Sequence, residues 1–194
     1  MEYIKSIKLI NNGFKMRSAG KVIVYIAMSL DGYIADSSGN LDFLDLVIEE
    51  NEDYGYCEFI DSVSTVIIGR KTYDKILSFG IPFPHPDKEV FVISHTSRLI
   101  SRKIHFYTGS LAKLIEDLKN SKVKNIFVDG GGKLVSTMIS QNLVDEIIIS
   151  IIPIILGDGI PLFNNNLDQK KLKLIDSKSF NKGLVQLHYS IEKK

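Results

Sequence analysis

Short apolar runs of strand length alternate with segments of helical spacing, and this alternation restricts the fold more than any other feature of the sequence. Buried strands are predicted at residues 22–28, 66–69, 90–94, 104–107, 125–128 and 144–152. Segments with helical spacing are predicted at residues 41–60, with an interruption at Tyr54-Gly55-Tyr56, and at residues 70–78, 111–119 and 133–141. Strands that alternate with helices form a mostly parallel sheet covered on both faces. We therefore predict an α/β fold with a mostly parallel central sheet flanked by helices.

The two ends of the chain depart from this alternation. Residues 172–179 and 184–191 flank the turn residues Asn181, Lys182 and Gly183, a pattern that predicts an antiparallel C-terminal hairpin. Residues 1–20 look unlike the rest and are interpreted as an N-terminal extension or flexible arm, with an extra edge strand at 3–10 as the alternative. Residues 21–194 then form one domain, because no linker or composition break divides them.

The charge balance and the single cysteine exclude several classes of protein. Lys and Arg number 24 and Asp and Glu 23, which argues against a binder of nucleic acid or of a membrane surface. Cys57 alone can form neither an internal disulfide nor a cysteine-based zinc site, and the histidines show no metal-binding spacing. No secretory signal is apparent, and the apolar run 147–156 is too short to span a membrane. We expect a cytoplasmic protein without a metal centre.

A glycine turn at residues 129–133 is the strongest candidate for ligand binding. Asp129, Gly130, Gly131, Gly132 and Lys133 follow a predicted strand and open a predicted helix, where free N–H groups can meet a phosphate. Neither the Rossmann fingerprint nor the Walker A spacing fits this run. One glycine would suffice for a tight turn, so three favour a ligand over a plain connection.

A second turn between strand and helix carries positive charge. Gly69, Arg70, Lys71 and Thr72 place a guanidinium, an ammonium and a hydroxyl at a helix start, which suits a phosphate monoester such as the 2′-phosphate of NADPH. Two basic residues at a helix start are also commonly just solvated, although the helix dipole disfavours them there.

Other polar residues that follow the predicted strands are each compatible with more than one role. Ser94 and His95 lie in a turn that can equally be a hydrophilic connection. Asp31, directly after the first strand, can hold a ligand, relay a proton or make an Asx turn before Gly32. Asp42 begins a predicted helix, where acids are favoured without any function.

These motifs, in this order, resemble the dihydrofolate reductase superfamily, and more closely the reductase domain of bifunctional riboflavin biosynthesis proteins of the RibD C-terminal type. The resemblance covers roughly residues 21–191. It rests on Ala27-Met28-Ser29-Leu30-Asp31-Gly32, Ile68-Gly69-Arg70-Lys71-Thr72-Tyr73, Val92-Ile93-Ser94, Val128-Asp129-Gly130-Gly131-Gly132, and Leu143-Val144-Asp145-Glu146 with Pro153, Leu156 and Gly157. The ordered set is specific, although no single piece is.

The resemblance implies an NADPH-dependent reductase that passes a hydride to a pyrimidine- or pteridine-type substrate. It implies that the cofactor contacts Ala27, Gly69, Arg70, Lys71, Thr72, Ser94, His95, Asp129, Gly130, Gly131, Gly132, Lys133 and Leu134. It implies that the substrate lies near Met28, Ser29, Asp42 and Phe43, with Asp31 or water as the proton source. It also implies a cis peptide at Gly130–Gly131 and a homodimer paired through the sheets, with residues 147–155 as a contributor.

Two departures keep alternatives open. Dihydrofolate reductases carry a pterin-binding acid early in their first helix, and Asp42 or Asp45 would have to fill that role here. The zinc deaminase domain of the bifunctional riboflavin proteins, with its His and paired Cys, is absent from this sequence. A dihydrofolate reductase, an orphan relative with another small substrate, and a non-catalytic nucleotide-binding module are therefore the alternatives.

Overall fold

A twisted central sheet organises the chain. The computed structural model describes residues 20–80, 82–96, 103–121, 123–164 and 167–193. The predicted extension at 1–20, apart from Gly20, and Arg98 of the predicted polar turn lie outside the described residues. The strands are β1 Val22–Ser29, β2 Tyr33–Ala35, β3 Val63–Gly69, β4 Glu89–Ile93, β5 Ile104–Tyr107, β6 Asn125–Val128, β7 Glu146–Ile152, β8 Ile160–Pro161, β9 Leu172–Ser179 and β10 Val185–Ile191.

Helices connect most of these strands. The α-helices are α1 Tyr56–Asp61, α2 Arg70–Ser78, α3 Leu111–Asn120 and α4 Gly132–Ser140. Short 3-10 helices occur at Asp42–Val47 and Asn181–Gly183. Among the described residues, no helix combines the length and apolarity needed to cross a bilayer.

The sheet order confirms the predicted architecture. Within the described residues, eight strands run in the order β5-β4-β3-β6-β1-β7-β10-β9. The pairs from β5 to β7 are parallel, whereas β7–β10 and β10–β9 are antiparallel and form the predicted C-terminal hairpin.

Two apolar layers bury the sheet. On one face, Leu114 of α3 and Val135 and Met138 of α4 pack against β1 and β6. On the other face, Phe59 of α1 and Tyr73 of α2 pack against β3, β4 and β6. Helices on both faces leave the carboxyl edge of the parallel strands as the open side, which is where ligands bind in such sheets.

Two local predictions differ from the structure. The segment predicted over 41–60 is interrupted at Tyr54 and Gly55, as expected, because these residues adopt positive φ angles of 59° and 83°. Its first part, however, is only a 3-10 helix over Asp42–Val47. The loops predicted after β1 and after β7 contain the short strands β2 and β8, which pair with each other.

Candidate active site

Two helices begin side by side at the carboxyl edge of the sheet. α2 follows β3 and α4 follows the neighbouring β6, and backbone contacts join their first turns. The N–H of Gly69 donates to the carbonyl of Gly130 at 3.0 Å, and the N–H of Gly131 donates to Oγ1 of Thr72 at 3.0 Å. First-turn N–H groups have no acceptor within their own helix. The first turns of α2 and α4 therefore form one electropositive site, which can bind an anion that bridges the two helices.

The conformation and packing of this turn explain why its residues are glycines. The Gly130–Gly131 peptide is cis, in agreement with the resemblance, and Gly130 has a φ of 94°. A Cβ on Gly131 would lie 3.0 Å from Oγ1 of Thr72, and a Cβ on Gly132 would lie 2.2 Å from the carbonyl oxygen of Pro161. The number of glycines is thus explained by conformation and packing, and it does not by itself indicate a ligand as the sequence argument held.

Arg70 projects from the start of α2 and is held in place on two sides. Its Nε lies 2.8 and 2.6 Å from the two carboxylate oxygens of Asp74, and its guanidinium carbon lies 5.2 Å from the centre of the Phe106 ring. Asp74 thus engages the Nε of the guanidinium. Lys71 is exposed beside it. This arrangement can receive a phosphate monoester at the edge of β3 and β4.

A cavity of about 310 Å³ opens at the ends of β4 and β5. It contains the predicted residues Ser94 and His95, together with Tyr107 and the loop that leads into α3. The Oγ of Ser94 accepts a hydrogen bond from the N–H of Thr96 at 3.1 Å, which fixes the turn. The structure therefore places Ser94 and His95 at a concave surface, as a contact with the far end of a dinucleotide requires.

A second cavity, of about 290 Å³, lies over β1 and β7. Its floor and walls come from the strands, from the 3-10 helix and from the loop before α1: Tyr25, Ala27, Leu44, Val47, Ile48, Glu49, Glu52, Asp53, Tyr54, Ser150, Ile152 and Leu184. The amide of Gln186 donates to the hydroxyls of Tyr25 and Ser150 and to the carbonyl of Tyr54, at 3.0–3.1 Å. This network orients the polar side of the cavity.

Three carboxylates stand along one wall of this second cavity. Glu49 accepts a hydrogen bond from the amide of Asn181 at 3.1 Å, and Glu52 accepts one from the N–H of Tyr54 at 2.7 Å. Hydrogen bonds from Cys57 and Gly55 lower the pKa of Asp53 and keep it ionised. Such a wall can accept hydrogen bonds from the amino groups of a heterocyclic ring.

The structure does not bring the predicted substrate residues to this cavity. Met28 packs on the opposite face of the sheet, and Phe43 is 7% exposed within the core. Ser29 is fully buried and engaged with Asp31 and Tyr33. Asp42 is exposed and does not line the cavity. Glu49 and Glu52 line the cavity instead, and no signal in the sequence marks them because they lie within a segment of continuous helical spacing.

The side chains of two predicted cofactor contacts point away from the start of α4. The side chain of Leu134 is 8% exposed in the core, and its N–H donates to the carbonyl of Gly131 at 2.9 Å. The side chain of Asp129 lies 3.5 Å from Nε2 of His85, on the face of the sheet that α1 and α2 cover. Leu134 is thus a packing residue, and Asp129 faces away from α4. Lys133 is exposed at the start of that helix.

Three neighbouring donors engage the carboxylate of Asp31. Its carboxylate accepts hydrogen bonds from the hydroxyl of Ser29 at 2.6 Å and from the N–H groups of Leu156 and Gly157 at 3.1 and 2.7 Å. These bonds, with that of Ser29 the largest, lower the pKa of Asp31. An ionised carboxylate of this kind is a poor proton donor and instead ties the loop after β1 to the loop after β7.

Comparison with solved structures gives the class of this fold. The crystal structure of a candidate riboflavin biosynthesis protein from Shewanella sp. PV-4 superimposes with a TM-score of 0.82 and 34% identity, over 89% of this chain and 99% of the other. A bifunctional deaminase/reductase from Thermotoga maritima shares the fold, with a TM-score of 0.69 and 18% identity over 98% of this chain and 62% of the other. The architecture is thus that of the dihydrofolate reductase-like pyrimidine reductases.

Sequence relatives define the family more narrowly. The RibD C-terminal domain profile matches residues 85–186. The uncharacterized protein YwjB of Bacillus subtilis (strain 168) is 38% identical over 170 residues, which is 87% of this chain and 97% of that protein. A 2,5-diamino-6-ribosylamino-4(3H)-pyrimidinone 5′-phosphate reductase of Archaeoglobus fulgidus is 51% identical over 47 residues, 24% of this chain and 22% of that protein. This chain belongs to the RibD C-terminal domain family.

Proposed function

We propose that this protein is an NADPH-dependent reductase acting on a pyrimidine- or pteridine-type small molecule. The observation that carries the proposal is the joining of the α2 and α4 starts through the Gly69–Gly130 and Gly131–Thr72 hydrogen bonds. This double anion site lies at the carboxyl edge of a parallel sheet, with a cavity on either side, as a dinucleotide and a substrate require.

The residues at the edge of the sheet fit NADPH. Arg70 and Lys71 would hold the 2′-phosphate, the two helix starts the pyrophosphate, and Ser94 and His95 the adenosine end. Ala27 and the Gly130–Gly131 peptide would border the nicotinamide. When bound, NADPH supplies the hydride, and the protein's part is to hold donor and acceptor within reach and to exclude water.

The substrate would occupy the cavity over β1 and β7. Tyr25 and Ala27 of β1 line this cavity, and Glu49 and Glu52 offer acceptors for ring amino groups. The Archaeoglobus relative, a reductase of a diaminopyrimidine, supports a substrate of this class. The hydrogen bonds that lower the pKa of Asp31 favour its ionised form, so we propose water or another side chain as the source of the proton that accompanies the hydride.

Substrate-dependent oxidation of NADPH tests the activity. A panel of aminopyrimidines, including 5-amino-6-ribosylaminouracil derivatives, and of pteridines is incubated with enzyme and NADPH while absorbance of the reduced cofactor is followed. We expect consumption with an aminopyrimidine and weak inhibition by methotrexate, since Asp42 lies outside the cavity. NADPH binding without turnover on any of these compounds would instead indicate a nucleotide-binding module.

We further propose that the protein acts in the cytoplasm as a homodimer, without a nucleic-acid or membrane partner. The support is an uncovered apolar face of the C-terminal hairpin. Leu172 and Leu174 of β9 and Val185 of β10 are 47%, 51% and 38% exposed. Their partners in the neighbouring strands place them on the same side of the sheet as the part-buried Ile151 of β7. A second copy of the sheet can cover this face.

A further inference from the structure

The acidic wall of the cavity over β1 and β7 is held in place by a distant part of the chain. Glu49, Glu52 and Asp53 line the cavity in the segment between the first 3-10 helix and α1. The amide of Asn181, in the turn of the C-terminal hairpin, donates to the carboxylate of Glu49 at 3.1 Å. This contact joins residues 132 positions apart and fixes the Glu49 side chain at the cavity.

The same hairpin turn contacts this wall at two further points. The ring of Phe180 lies edge-on against the ring of Tyr54, with ring centres 5.0 Å apart. The ammonium of Lys182 donates to the backbone carbonyl of Ile48. Lys182 thus brings one ammonium to a wall that carries three carboxylates, so negative charge predominates there.

The polar groups over the strands use their hydrogen-bond donors within the protein. The hydroxyl of Tyr25 donates to the carbonyl of Tyr54 at 2.8 Å, and the hydroxyl of Tyr54 donates to the carbonyl of Val47. The amide of Gln186 donates to Tyr25, Tyr54 and Ser150 at 3.0–3.1 Å. A carboxylate, in contrast, only accepts hydrogen bonds. A ligand in this cavity therefore meets mainly acceptors and must supply donors itself.

A phosphate group is poorly matched to these surroundings. A phosphate monoester carries a charge of about −1.5 to −2 at neutral pH and is bound by cations and hydrogen-bond donors. Within the described part of the chain, the residues that line this cavity include no lysine, arginine or histidine. Carboxylates close to a phosphate repel it, whereas they accept hydrogen bonds from the amino groups of a ring.

The volume of the cavity also favours a small ligand. At about 290 Å³ it lies at the lower end of the range of ligand cavities, about 300–1,000 Å³. Such a volume suits a heterocyclic ring with short substituents. The substrate in the name of the Archaeoglobus relative carries a 5′-phosphate, so the cavity described here is adapted to a different ligand.

We propose that this protein selects an amino-substituted heterocycle without a phosphate group, and that Glu49 and Glu52 make this selection. Asn181 is the positioning residue that holds Glu49 at the cavity. The proposal rests on the proposed reductase function and specifies the substrate class of the same cavity.

Two ligands that differ only in the phosphate test the selection. Calorimetry measures the binding of 5-amino-6-ribosylaminouracil and of its 5′-phosphate to the full chain without cofactor. We expect the unphosphorylated compound to bind at least about 10-fold more tightly, because the phosphate is repelled by the acidic wall. We expect this ratio to fall as the salt concentration rises, because salt screens exposed charges. Equal affinities, tighter binding of the phosphorylated compound, or binding of neither would overturn the proposal.

Variants of the wall assign the selection to its residues. We expect the double variant Glu49→Gln, Glu52→Gln to reduce the preference to less than about 3-fold, because neutral amides do not repel a phosphate. We expect Asn181→Ala to reduce it in part and Asn181→Gln to restore it, a change in ratio that lost stability alone does not cause. Glu58→Gln is the control, since Glu58 is exposed on α1 and does not line the cavity. An unchanged preference in the double variant would overturn the roles of Glu49 and Glu52.

Turnover separates this proposal from the reductase function. Consumption of NADPH is followed with each compound of the pair and the wild-type protein. Binding of the unphosphorylated compound without NADPH consumption would contradict the reductase function and leave the selection standing. Consumption with both compounds at equal kcat/KM would support the reductase function and overturn the selection.

Discussion

Asp31 shows how the role of a residue follows from its partners. Its place after β1 is compatible with catalysis or with a turn. The structure gives its carboxylate three donors from two loops, of which Gly157 is the nearest backbone group at 2.7 Å. We conclude that Asp31 joins the loops after β1 and β7, and that it affects the reaction through the shape of the site.

Replacing this carboxylate should affect stability more than chemistry. We expect Asp31→Asn to lower the melting temperature, because an amide cannot accept all three hydrogen bonds. A carboxyl whose pKa is lowered by folding stabilises the protein above its unfolded pKa of 3.8, and this contribution is lost as the pH falls through the folded value. The variant should therefore lose less stability than the wild type between pH 5 and about 3.

Thermal unfolding across this pH range checks the expectation. Asp61→Asn serves as the control, since Asp61 is exposed at the end of α1. A melting temperature equal to that of the wild type, combined with a loss of kcat at unchanged KM, would restore Asp31 as the proton donor.

Single residues were predictable where a strand, a turn and a helix follow each other closely. Arg70, Thr72 and Gly130 lie where the sequence predicts, because short connections leave little freedom between β3 and α2 or β6 and α4. Asp42 and Phe43 do not line the cavity over β1 and β7, and nothing in the pattern shows that the helix in which they lie ends at Val47. His85 and Asp129 are 44 residues apart in sequence numbering, so their contact follows only from the fold.

At the scale of elements, the approach of α4 to the β8 strand explains the last glycine of the turn. A Cβ on Gly132 would meet the carbonyl oxygen of Pro161 at 2.2 Å, whereas a Cβ on Gly69 would meet its nearest atom at 3.5 Å, an ordinary contact. Both glycines begin helices with ordinary negative or extended backbone angles, so contact distance alone separates them.

This difference predicts opposite responses to alanine. We expect Gly132→Ala to lower the free energy of unfolding by about 1–3 kcal/mol, as overpacking does, even though helix propensity alone would favour alanine. We expect Gly69→Ala to stay within about 1 kcal/mol of the wild type. Urea unfolding measures both. Equal stability of Gly132→Ala and wild type would mean that α4 and β8 are less closely packed than the structure shows.

Elements were predictable in proportion to their length. The strands of the main sheet and α2, α3 and α4 have bounds within about three residues of the prediction, because each carries a clear apolar pattern. Strands β2 and β8, of three and two residues, are too short to show a period. Only their pairing, together with the contacts of Gly132 and Gly159, reveals them.

At the scale of the whole molecule, the exposed apolar face of the C-terminal hairpin indicates a second subunit. An edge strand with exposed leucines on one face is a surface that monomeric proteins avoid. We expect a mass close to twice 21.8 kDa by light scattering at micromolar concentration.

A charge on the apolar face should separate the subunits. We expect Leu174→Lys to give the monomer mass, because burying an unpaired ammonium in the interface is unfavourable. Leu77→Lys is the control, since Leu77 is 44% exposed on α2, away from the hairpin. A monomeric wild type, or a dimer that survives Leu174→Lys, would contradict this interface.

The central claim is that the joined starts of α2 and α4, with Arg70, form an NADPH site. A titration that follows the fluorescence of the reduced nicotinamide, with NADPH and NADH in parallel, tests it most directly. Hydrogen bonds to charged groups contribute about 1.5–3 kcal/mol, so NADPH should bind at least about 10-fold more tightly than NADH. Arg70→Gln should remove that preference, and Lys75→Gln, at the other end of α2, should keep it. Equal affinity for the two cofactors, or binding of neither, would contradict the account.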